Sequence, residues 1–399
     1  MAPIDVAIVG GGVIGLATAH RLQRARPDLS VTVLEAEAEV GTQQSSRNSG
    51  VLHAGLYYAP GSAKARWCTA GKQEMERFCE EQGVPVERNG KVVVAVDHTE
   101  LVGLRRLADR ARTNGVRIRE LNANEVRELE PHVRGVAGIH SPDTAVTDFG
   151  AVARRLAGLV AEDGGQVRTG ARVTGLDDRS DGVRLTTTAG DLEARAVVTC
   201  AGLQADRIAR MTGAEVPERV VPFRGSWLVL RDEVSHLVRG NIYPVPVGGG
   251  LPFLGVHLTR RIDGSVWIGP NAVLMGSRHG RGPWSLDPRD LGETLSFGGF
   301  WRLAARHATT GLGEVWRDRN LHAMLREVRR YVPGISIDDV SRGPWGVRAQ
   351  LVGADGQLVD DFTLRASGRV LHVLNAPSPA ATASLAIAAE LRDRVLGRL

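Results

Sequence analysis

Two neighbouring groups of residues near the N-terminus have types and spacing suited to chemistry. Gly10, Gly12 and Gly15 form the pattern GxGxxG, and the loop SSRNSGVLHAGLYY follows at residues 45–58. The loop fits neither the period of a helix nor the alternation of a strand. It contains His53, and the unperturbed pKa of histidine lies close enough to neutrality for proton transfer in catalysis. His53 is therefore either a catalytic base or a structural histidine hydrogen-bonded within the loop.

The glycines need a strand before them and a helix after them, and the sequence predicts both. Residues 4–9 predict a buried strand, residues 13–25 have helical spacing, and SVTVLE predicts a second strand that ends at Glu35. In such a unit the glycines allow a tight turn and the close approach of a pyrophosphate, while the helix N-terminus offers unpaired N–H groups. The predicted nucleotide contacts here are Gly10, Gly12, Val13, Ile14, Gly15 and Glu35.

The acid at the end of the second strand narrows the choice of nucleotide. Glu35 stands twenty residues after Gly15, where a carboxylate accepts hydrogen bonds from a ribose. A carboxylate at this position disfavours a 2′-phosphate and so disfavours NADP. The motif by itself does not choose between NAD and FAD.

Length and charge limit the number of domains and the kind of partner. The chain has 399 residues, enough for two domains, and a net charge of +5 from 50 basic and 45 acidic residues. The basic residues are scattered, without a dense tract interleaved with aromatics, so we expect no nucleic-acid partner; an anionic substrate explains the bias equally well.

Cysteine usage and hydropathy bear on location. Cys68, Cys79 and Cys200 show neither a CxxC pattern nor metal-ligand spacing, which favours a reduced, cytoplasmic compartment. The N-terminus lacks a signal-peptide pattern, and no apolar run reaches the ~20 residues of a membrane span. We expect a cytoplasmic protein, with peripheral contact at the inner membrane left open.

A second glycine-containing turn lies near the C-terminus. The segment 192–202, LEARAVVTCAG, predicts a strand that runs into Ala-Gly, and residues 368–397 predict a strand, a turn with two prolines and a helix. Ser378 is the predicted N-cap of that helix, with Pro379 in its first turn. This turn can reach the cofactor that the N-terminal glycines hold.

At this point the chain resembles the L-2-hydroxyglutarate oxidases and dehydrogenases, within the D-amino-acid oxidase superfamily of flavoproteins. The resemblance runs through nearly the whole chain. The segments that carry it are RNSGVLHAGLYYAPGSAKARWC, VVPFRG, YPVP, FLGVHLTRRIDGSVWIGPNAVL, GFWRLAARHATTGLGE, GVRAQLVGADGQLVDDF and VLNAPSPAATASLAI. It implies non-covalent FAD and oxidation of a small anionic L-2-hydroxy acid to the 2-keto acid, with L-2-hydroxyglutarate or a close analogue as substrate and oxygen or a quinone as electron acceptor.

The resemblance also implies a fold of the α/β class. We expect a Rossmann-type FAD-binding domain assembled from residues 1–90, 146–215 and 340–399, and a substrate domain with a largely antiparallel sheet from residues 91–145 and 216–339. The loop after the second strand would then lie against the isoalloxazine. The further FAD contacts that the resemblance implies are Arg47, Asn48, Ser49, Gly50, Val51, Ala201, Gly202, Asn375, Pro377 and Ser378.

Three residues are the candidates for catalysis. His53 is our first choice for the base that accepts the hydroxyl proton, and His257, in GVHLTRR, is its rival. Arg348, in GPWGVRAQ, is our choice for the carboxylate clamp, because a guanidinium presents a planar fork that matches a carboxylate. The alternative for Arg348 is a structural ion pair with Asp360 or Asp361.

Several further residues bear on substrate choice. Tyr57, Tyr58 and Thr259 are candidates for the pocket wall, although core packing explains the tyrosines as well. The chain departs from the expected family pattern at Ser226 and Trp345, and VGGG at 247–250 replaces a shorter, acidic turn. We expect Ser226 and Trp345 to face the substrate, Trp345 by way of a bend at Gly346.

The competing interpretations differ in class. One is an enzyme that oxidises a different hydroxy or amino acid in a specialised biosynthetic pathway. Another is a flavin-binding module of a nucleic-acid-modifying protein, which would need a basic groove or an added catalytic domain. The last is a non-catalytic flavoprotein, whose flavin no substrate would bleach.

Overall fold

The protein is described by a computed structural model that covers residues 3–246, 255–280 and 282–399. In this part of the chain the strands are β1 (Ile4–Val9), β2 (Val31–Leu34), β3 (Val51–Leu52), β4 (Val86–Glu87), β5 (Lys91–Ala95), β6 (Arg119–Asn122), β7 (Ala137–Ser141), β8 (Ala145–Thr147), β9 (Gln166–Arg168), β10 (Val173–Asp178), β11 (Val183–Thr187), β12 (Leu192–Thr199), β13 (Arg219–Leu230), β14 (Asn241–Pro244), β15 (His257–Arg260), β16 (Val266–Gly269), β17 (Val273–Leu274), β18 (Val340–Val352), β19 (Thr363–Ser367) and β20 (Val370–Asn375).

The helices of the same described residues are α1 (Val13–Ala25), α2 (Ala63–Gln82), α3 (Leu101–Thr113), α4 (Ala123–Leu129), α5 (Phe149–Glu162), α6 (Ala205–Met211), α7 (Pro288–Leu295), α8 (Gly298–Arg306), α9 (Ala308–Arg319), α10 (Leu321–Arg329) and α11 (Ser384–Leu396).

The first sheet holds the glycine turn. Its strand order is β10-β11-β12-β1-β2-β9, and β20 pairs with the second half of β12. β1 lies parallel to both β12 and β2, so the carboxyl ends of these strands meet at one edge, directly before α1. The predicted strand at residues 4–9 and the predicted helix at 13–25 are confirmed as β1 and α1. Their buried apolar residues share one core with those of α5 and α11.

The second sheet forms the other wall. Its order is β17-β13-β16-β15-β14-β5-β7-β6, with β18 paired to β13. All of its pairings are antiparallel except that between β14 and β5. A rigid scaffold of this kind fixes the direction of each side chain, since strand side chains alternate between faces.

Strand β18 links the two halves of the molecule. It is paired with β13 from Val340 to Val352, although the predicted boundaries put residues 340–399 in the FAD-binding domain. β19 and β20, which follow β18, belong to the first sheet. The domain boundaries remain a prediction, and this pairing shows where the chain passes between the sheets.

The last helix begins later than expected. α11 starts at Ser384, with Ala383 as its N-cap residue, and not near Ser378. Residues 377–383 instead form turns, in which the amide of Ala380 donates to the carbonyl of Pro377 and that of Ala383 to Pro379. Prolines at 377 and 379 lack an N–H and restrict the residues before them to extended conformations, which delays the helix.

Candidate active site

A cavity of about 640 Å³ runs from the N-terminus of α1 to the face of the second sheet. It brings together the glycine turn, the loop at 45–58, the turn after β12, the turn after β20 and parts of β14, β15 and β18. The predicted site residues that line it are Gly10, Gly12, Val13, Ile14, Gly15, Glu35, Arg47, Asn48, Ser49, Val51, His53, Tyr57, Tyr58, Ala201, Gly202, His257, Arg348, Asn375, Pro377 and Ser378.

Two glycines of the turn, Gly10 and Gly15, admit no larger residue. Gly10 has a φ of +115°, and a Cβ there would overlap the carbonyl oxygen of Cys200, while a Cβ at Gly15 would overlap the carbonyl oxygen of Gly10. The first turn of α1 contains no acidic residue and Gly12 at its N-cap has no side chain, although the amide of Val13 donates to the Ser45 hydroxyl at 3.0 Å. This end of the cavity therefore suits a phosphate group.

The carboxylate of Glu35 is fixed by the backbone. One of its oxygens accepts from the amide of Gly11 at 2.7 Å and the other accepts from that of Glu37 at 2.8 Å. Each carboxylate oxygen keeps a further lone pair, and the residue lines the cavity, so contact with a ribose stays compatible with this arrangement.

The loop at 45–58 is held by its own polar side chains. The Asn48 amide donates to the carbonyls of Gln44 and Ser45, and its oxygen accepts from the amide of Gly50. Gly50 has a φ of +77° and packs against the carbonyl of Thr147, away from the cavity. The glycine turn, the N-terminus of α1 without an acidic residue in its first turn, and this loop fit an extended dinucleotide such as FAD.

The imidazole of His53 has a buried ring nitrogen without a hydrogen-bond partner among the described residues. Its backbone amide donates to the Thr382 hydroxyl at 3.2 Å, and the Cys68 thiol donates to its carbonyl at 3.1 Å. Its ring Nδ1 is buried and has no hydrogen-bond partner among the described residues. Burial, with smaller contributions from the nearby Lys91 and His257, holds the pKa of His53 well below its usual value. The ring is therefore neutral at physiological pH and can accept a proton.

His257 lies in the same cluster. Its Nδ1 is 2.9 Å from the carbonyl oxygen of Gly255, so Nδ1 carries the proton and Nε2 is left as an acceptor. The ring stacks on that of Tyr243 with centroids 4.0 Å apart. Burial lowers the pKa of His257 to about 3, and the charges of Lys91 and Arg348 act in the same direction.

Arg348 faces the cavity from β18, opposite Phe223 of β13. Burial lowers its pKa to about 10, and the carboxylate of Glu314 opposes that shift. The two carboxylates suggested as structural partners are engaged elsewhere: Asp360 binds the Lys64 ammonium at 2.6 Å, and Asp361 accepts from the amides that begin α2. A guanidinium that stays charged in this place can bind a carboxylate.

Four predicted site residues do not line the cavity: Gly50, Ser226, Thr259 and Trp345. Trp345 packs with the apolar cluster around Leu203 and Leu351, whereas the next five residues of β18, 346–350, line the cavity. The Trp345 ring instead lies 5.2 Å from the guanidinium carbon of Arg47. The departure at 247–250 lies outside the described residues.

Three residues of this region were not predicted. Trp227 and Tyr243 line the cavity from β13 and β14. Lys91 lies behind Tyr243, with its ammonium nitrogen 4.1 Å from the ring centroid, and burial lowers its pKa to about 7. A lysine at the head of the apolar strand KVVVA was the available signal, and Tyr243 stands in the motif YPVP.

Comparison with known proteins agrees with this geometry. Residues 5–394 match the family model described as DAO, FAD dependent oxidoreductase. The chain is 42% identical over 405 residues to the mitochondrial L-2-hydroxyglutarate dehydrogenase of Caenorhabditis elegans, covering 99% of this chain and 93% of that protein. It is 40% identical to the L-2-hydroxyglutarate dehydrogenase of Escherichia coli K12, covering 98% and 93% respectively.

Solved structures show the same fold. An L-α-glycerophosphate oxidase from Mycoplasma pneumoniae with FAD bound superposes with a TM-score of 0.80 at 23% identity, covering 100% of this chain and 95% of that one. Glycine oxidase from Geobacillus kaustophilus gives 0.74 at 20% identity, covering 99% and 95%. The expected α/β architecture and the FAD cofactor are confirmed. The chain belongs to the DAO family of FAD-dependent oxidoreductases and, within it, to the family of the L-2-hydroxyglutarate dehydrogenases.

Proposed function

We propose that this protein oxidises L-2-hydroxyglutarate to 2-oxoglutarate with non-covalent FAD. The observation that carries the proposal is the convergence of Arg348, His53 and His257 on the cavity that begins at the glycine turn. Near-full-length similarity to L-2-hydroxyglutarate dehydrogenases supports the choice of substrate. The departures from the family pattern at Ser226 and Trp345, which were expected to face the substrate, lie off the cavity and so give little reason to choose a different substrate.

Each side chain has a definite task in this reaction. Arg348 binds the carboxylate next to the hydroxyl group and so fixes which face of the α-carbon points toward the cofactor. A neutral histidine, His53 or His257, accepts the hydroxyl proton as the carbonyl forms. When bound, FAD supplies the acceptor for the hydride that leaves the α-carbon.

Burial of the side chains around His257 supports these roles of the arginine and the histidines. Tyr243 and His257 are about 1% and 7% exposed, and Trp227 is 6% exposed, so water has little access to the reacting carbon. A low dielectric strengthens the attraction between Arg348 and the substrate carboxylate. It also keeps both histidines in the neutral form that the reaction requires.

The direct test is anaerobic mixing of the purified flavoprotein with a panel of acids while the flavin absorbance is recorded. We expect L-2-hydroxyglutarate to bleach the flavin fastest. The panel includes D-2-hydroxyglutarate, L-lactate and L-glutamate, which test the stereochemistry, the second carboxylate and the amino-acid alternative. Faster reduction by an amino acid, or no reduction by any member, contradicts the proposal.

We propose oxygen or a quinone as the electron acceptor, and a peripheral contact with the membrane surface. No helix of the described residues is long and apolar enough to span a bilayer. The exposed large apolar side chains of the described chain are concentrated between residues 284 and 316, and they include Trp284, Trp301 and Trp316. Tryptophans suit the interface of a membrane.

The acceptor and the surface can be tested separately. Reoxidation of the reduced flavin by air is compared with reoxidation by a soluble quinone. Flotation with anionic vesicles is compared between the parent and Trp301→Ser/Trp316→Ser. Equal flotation of the parent and the double variant contradicts the proposed surface, while leaving the reaction untouched.

A further inference from the structure

Lys91, the buried lysine behind Tyr243, has no role in the proposed reaction. Lys91 is 1% exposed, and its ammonium has no hydrogen-bond partner among the described residues. The residues outside the description are Met1, Ala2, 247–254 and Arg281, and they contain no Asp or Glu, so they offer no side-chain carboxylate. An ammonium buried without a counter-ion is costly, so its retention calls for an explanation.

The scaffold fixes this side chain rigidly. Lys91 begins β5, which is bonded to β14 on one side, where Lys91 pairs with Asn241, and to β7 on the other, where it pairs with Ser141. The ammonium nitrogen lies 4.1 Å from the ring centroid of Tyr243 and 5.2 Å from that of Tyr57. These cation–π contacts hold the charge without neutralising it.

Both tyrosines line the cavity, so the lysine lies one ring away from it. The hydroxyl of Tyr57 is also buried and lacks a hydrogen-bond partner among the described residues, while the buried hydroxyl of Tyr243 has the Thr259 side chain as a hydrogen-bonding neighbour. The cluster thus combines one unsatisfied tyrosine hydroxyl, a second whose recorded neighbour is Thr259, and an uncompensated cation against the two rings. An anionic group of the ligand that accepts hydrogen bonds would satisfy all of these groups at once.

Besides Arg348, four cations of the described residues line the cavity, and each of them makes a polar contact within the protein. The guanidinium of Arg47 donates to the carbonyl of Thr42, that of Arg110 donates to the carbonyl of Tyr57, and Lys64 is paired with Asp360. Arg172 lies at the far end, 3.7 Å from a carboxylate oxygen of Glu37. If Arg348 takes the carboxylate beside the hydroxyl, a dianionic substrate still needs a second positive charge.

We propose that Lys91, acting through Tyr57 and Tyr243, is the residue that makes this site select a substrate with a second, distal carboxylate over a monocarboxylate. The inference rests on the proposed function, since it assigns the charge that recognises the far end of L-2-hydroxyglutarate. Lys91 is a positioning residue here: the tyrosine hydroxyls contact the distal carboxylate, and the ammonium supplies the charge. A unit charge about 8 Å from a carboxylate at an effective dielectric of about 20 changes affinity by roughly 10–100-fold.

The test measures binding, so that it does not depend on turnover. Glutarate and butyrate lack the hydroxyl group, and their binding is followed by the perturbation of the flavin spectrum of the holoenzyme. We expect Lys91→Met to weaken glutarate roughly 10–100-fold and to leave butyrate within about threefold. Lys91→Arg is expected to recover part of the preference for glutarate, because the charge is kept.

Lys72→Met is the matched control. Lys72 is also buried, but its ammonium binds Glu76 at 2.8 Å and the residue does not line the cavity. We expect this variant to keep the parent ratio of glutarate to butyrate affinity. An equal loss of both ligands in Lys91→Met, or an unchanged ratio, overturns the inference.

A second measurement, on the parent alone, applies even if Lys91→Met does not fold. The groups that face Lys91 are Cys68 from α2, His53 and Tyr57 from the loop, Tyr243 from β14 and His257 from β15. Glutarate affinity in the parent should fall between pH 6 and 9 while butyrate affinity stays level, and a level glutarate profile overturns the inference. If the parent binds glutarate in this way and L-2-hydroxyglutarate does not bleach the flavin, the proposed function fails and the inference stands.

Discussion

The imidazole of His257 stacks on the ring of Tyr243, with centroids 4.0 Å apart and planes inclined by 17°. On the other side of the cluster the same tyrosine ring meets the ammonium of Lys91. One aromatic ring is thus shared by a candidate base and a buried cation. The positive charge reaches both His257 and His53 and helps to keep their imidazoles neutral.

We expect His53→Ala to slow flavin reduction by roughly 10²–10⁴-fold while FAD stays bound, the range typical of a lost general base. The measurement is anaerobic stopped-flow reduction by L-2-hydroxyglutarate. His98→Ala, at an exposed histidine, serves as the control and should match the parent. If His257→Ala shows this defect and His53→Ala does not, the two histidines exchange roles.

Arg348→Ala should weaken the acidic substrate by about 2–5 kcal/mol and leave FAD retention nearly unchanged. Arg348→Lys should recover only part of the loss, because an ammonium lacks the planar fork. Substrate affinity and flavin content are measured on the same preparations. Arg306→Ala removes an exposed arginine for comparison, and activity of Arg348→Ala equal to that of Arg306→Ala would remove Arg348 from the site.

The pH profile of kcat/KM should stay level on the acid side down to about pH 5.5. An ordinary histidine, with a pKa near 6.5, would already become protonated and lose its basic form as the pH falls through about 6.5. Burial lowers the pKa of His257 to about 3 and holds that of His53 well below the usual value, so either residue remains an unprotonated base. An acid limb centred near pH 6.5 would contradict a buried base.

Titration of Lys91 should weaken dicarboxylate binding as the pH rises. Its pKa is lowered to about 7, so in the empty site the ammonium loses its proton as the pH rises through that value. Binding of a dicarboxylate above pH 7 should therefore be accompanied by uptake of about one proton per site. Calorimetry in buffers of different ionisation enthalpy measures this number, which should fall to zero in Lys91→Met.

The flavin should be released when the protein is denatured in acid, since the resemblance implies non-covalent binding. Cys200 lines the cavity, but burial raises the pKa of its thiol to about 12, which disfavours the thiolate. Absorbance of the supernatant after acid precipitation reports the released FAD. Yellow colour that remains in the pellet would mean covalent attachment.

Trp345→Ala should leave the ranking of substrates unchanged, because the ring faces the apolar cluster around Leu351 and the guanidinium of Arg47. Trp227→Phe, at a position that lines the cavity, should alter the ranking. The same panel of acids is used for both variants. A changed preference in Trp345→Ala alone would show that Trp345 acts on the pocket after all.

The sequence alone determined the nucleotide end of this protein. The strand at 4–9, the glycines, the helix at 13–25 and Glu35 follow one another within a short stretch. Their pattern is set by local sterics and by the two periodicities of strand and helix, which can be read without knowing any distant contact. The family, and with it the kind of reaction, followed from the resemblance of longer segments to a known family and not from periodicity.

Only the tertiary structure decided the substrate end. Residues 53, 91, 243, 257 and 348 meet because β5, β14, β15 and β18 are paired in a particular register, and register depends on contacts between distant segments. Packing against the apolar cluster of Leu203 and Leu351 keeps Trp345 off the cavity, whereas Arg348 lines it. Lys91 stands out because it is buried and its ammonium has no partner among the described residues. Neither property can be predicted from the sequence around residue 91.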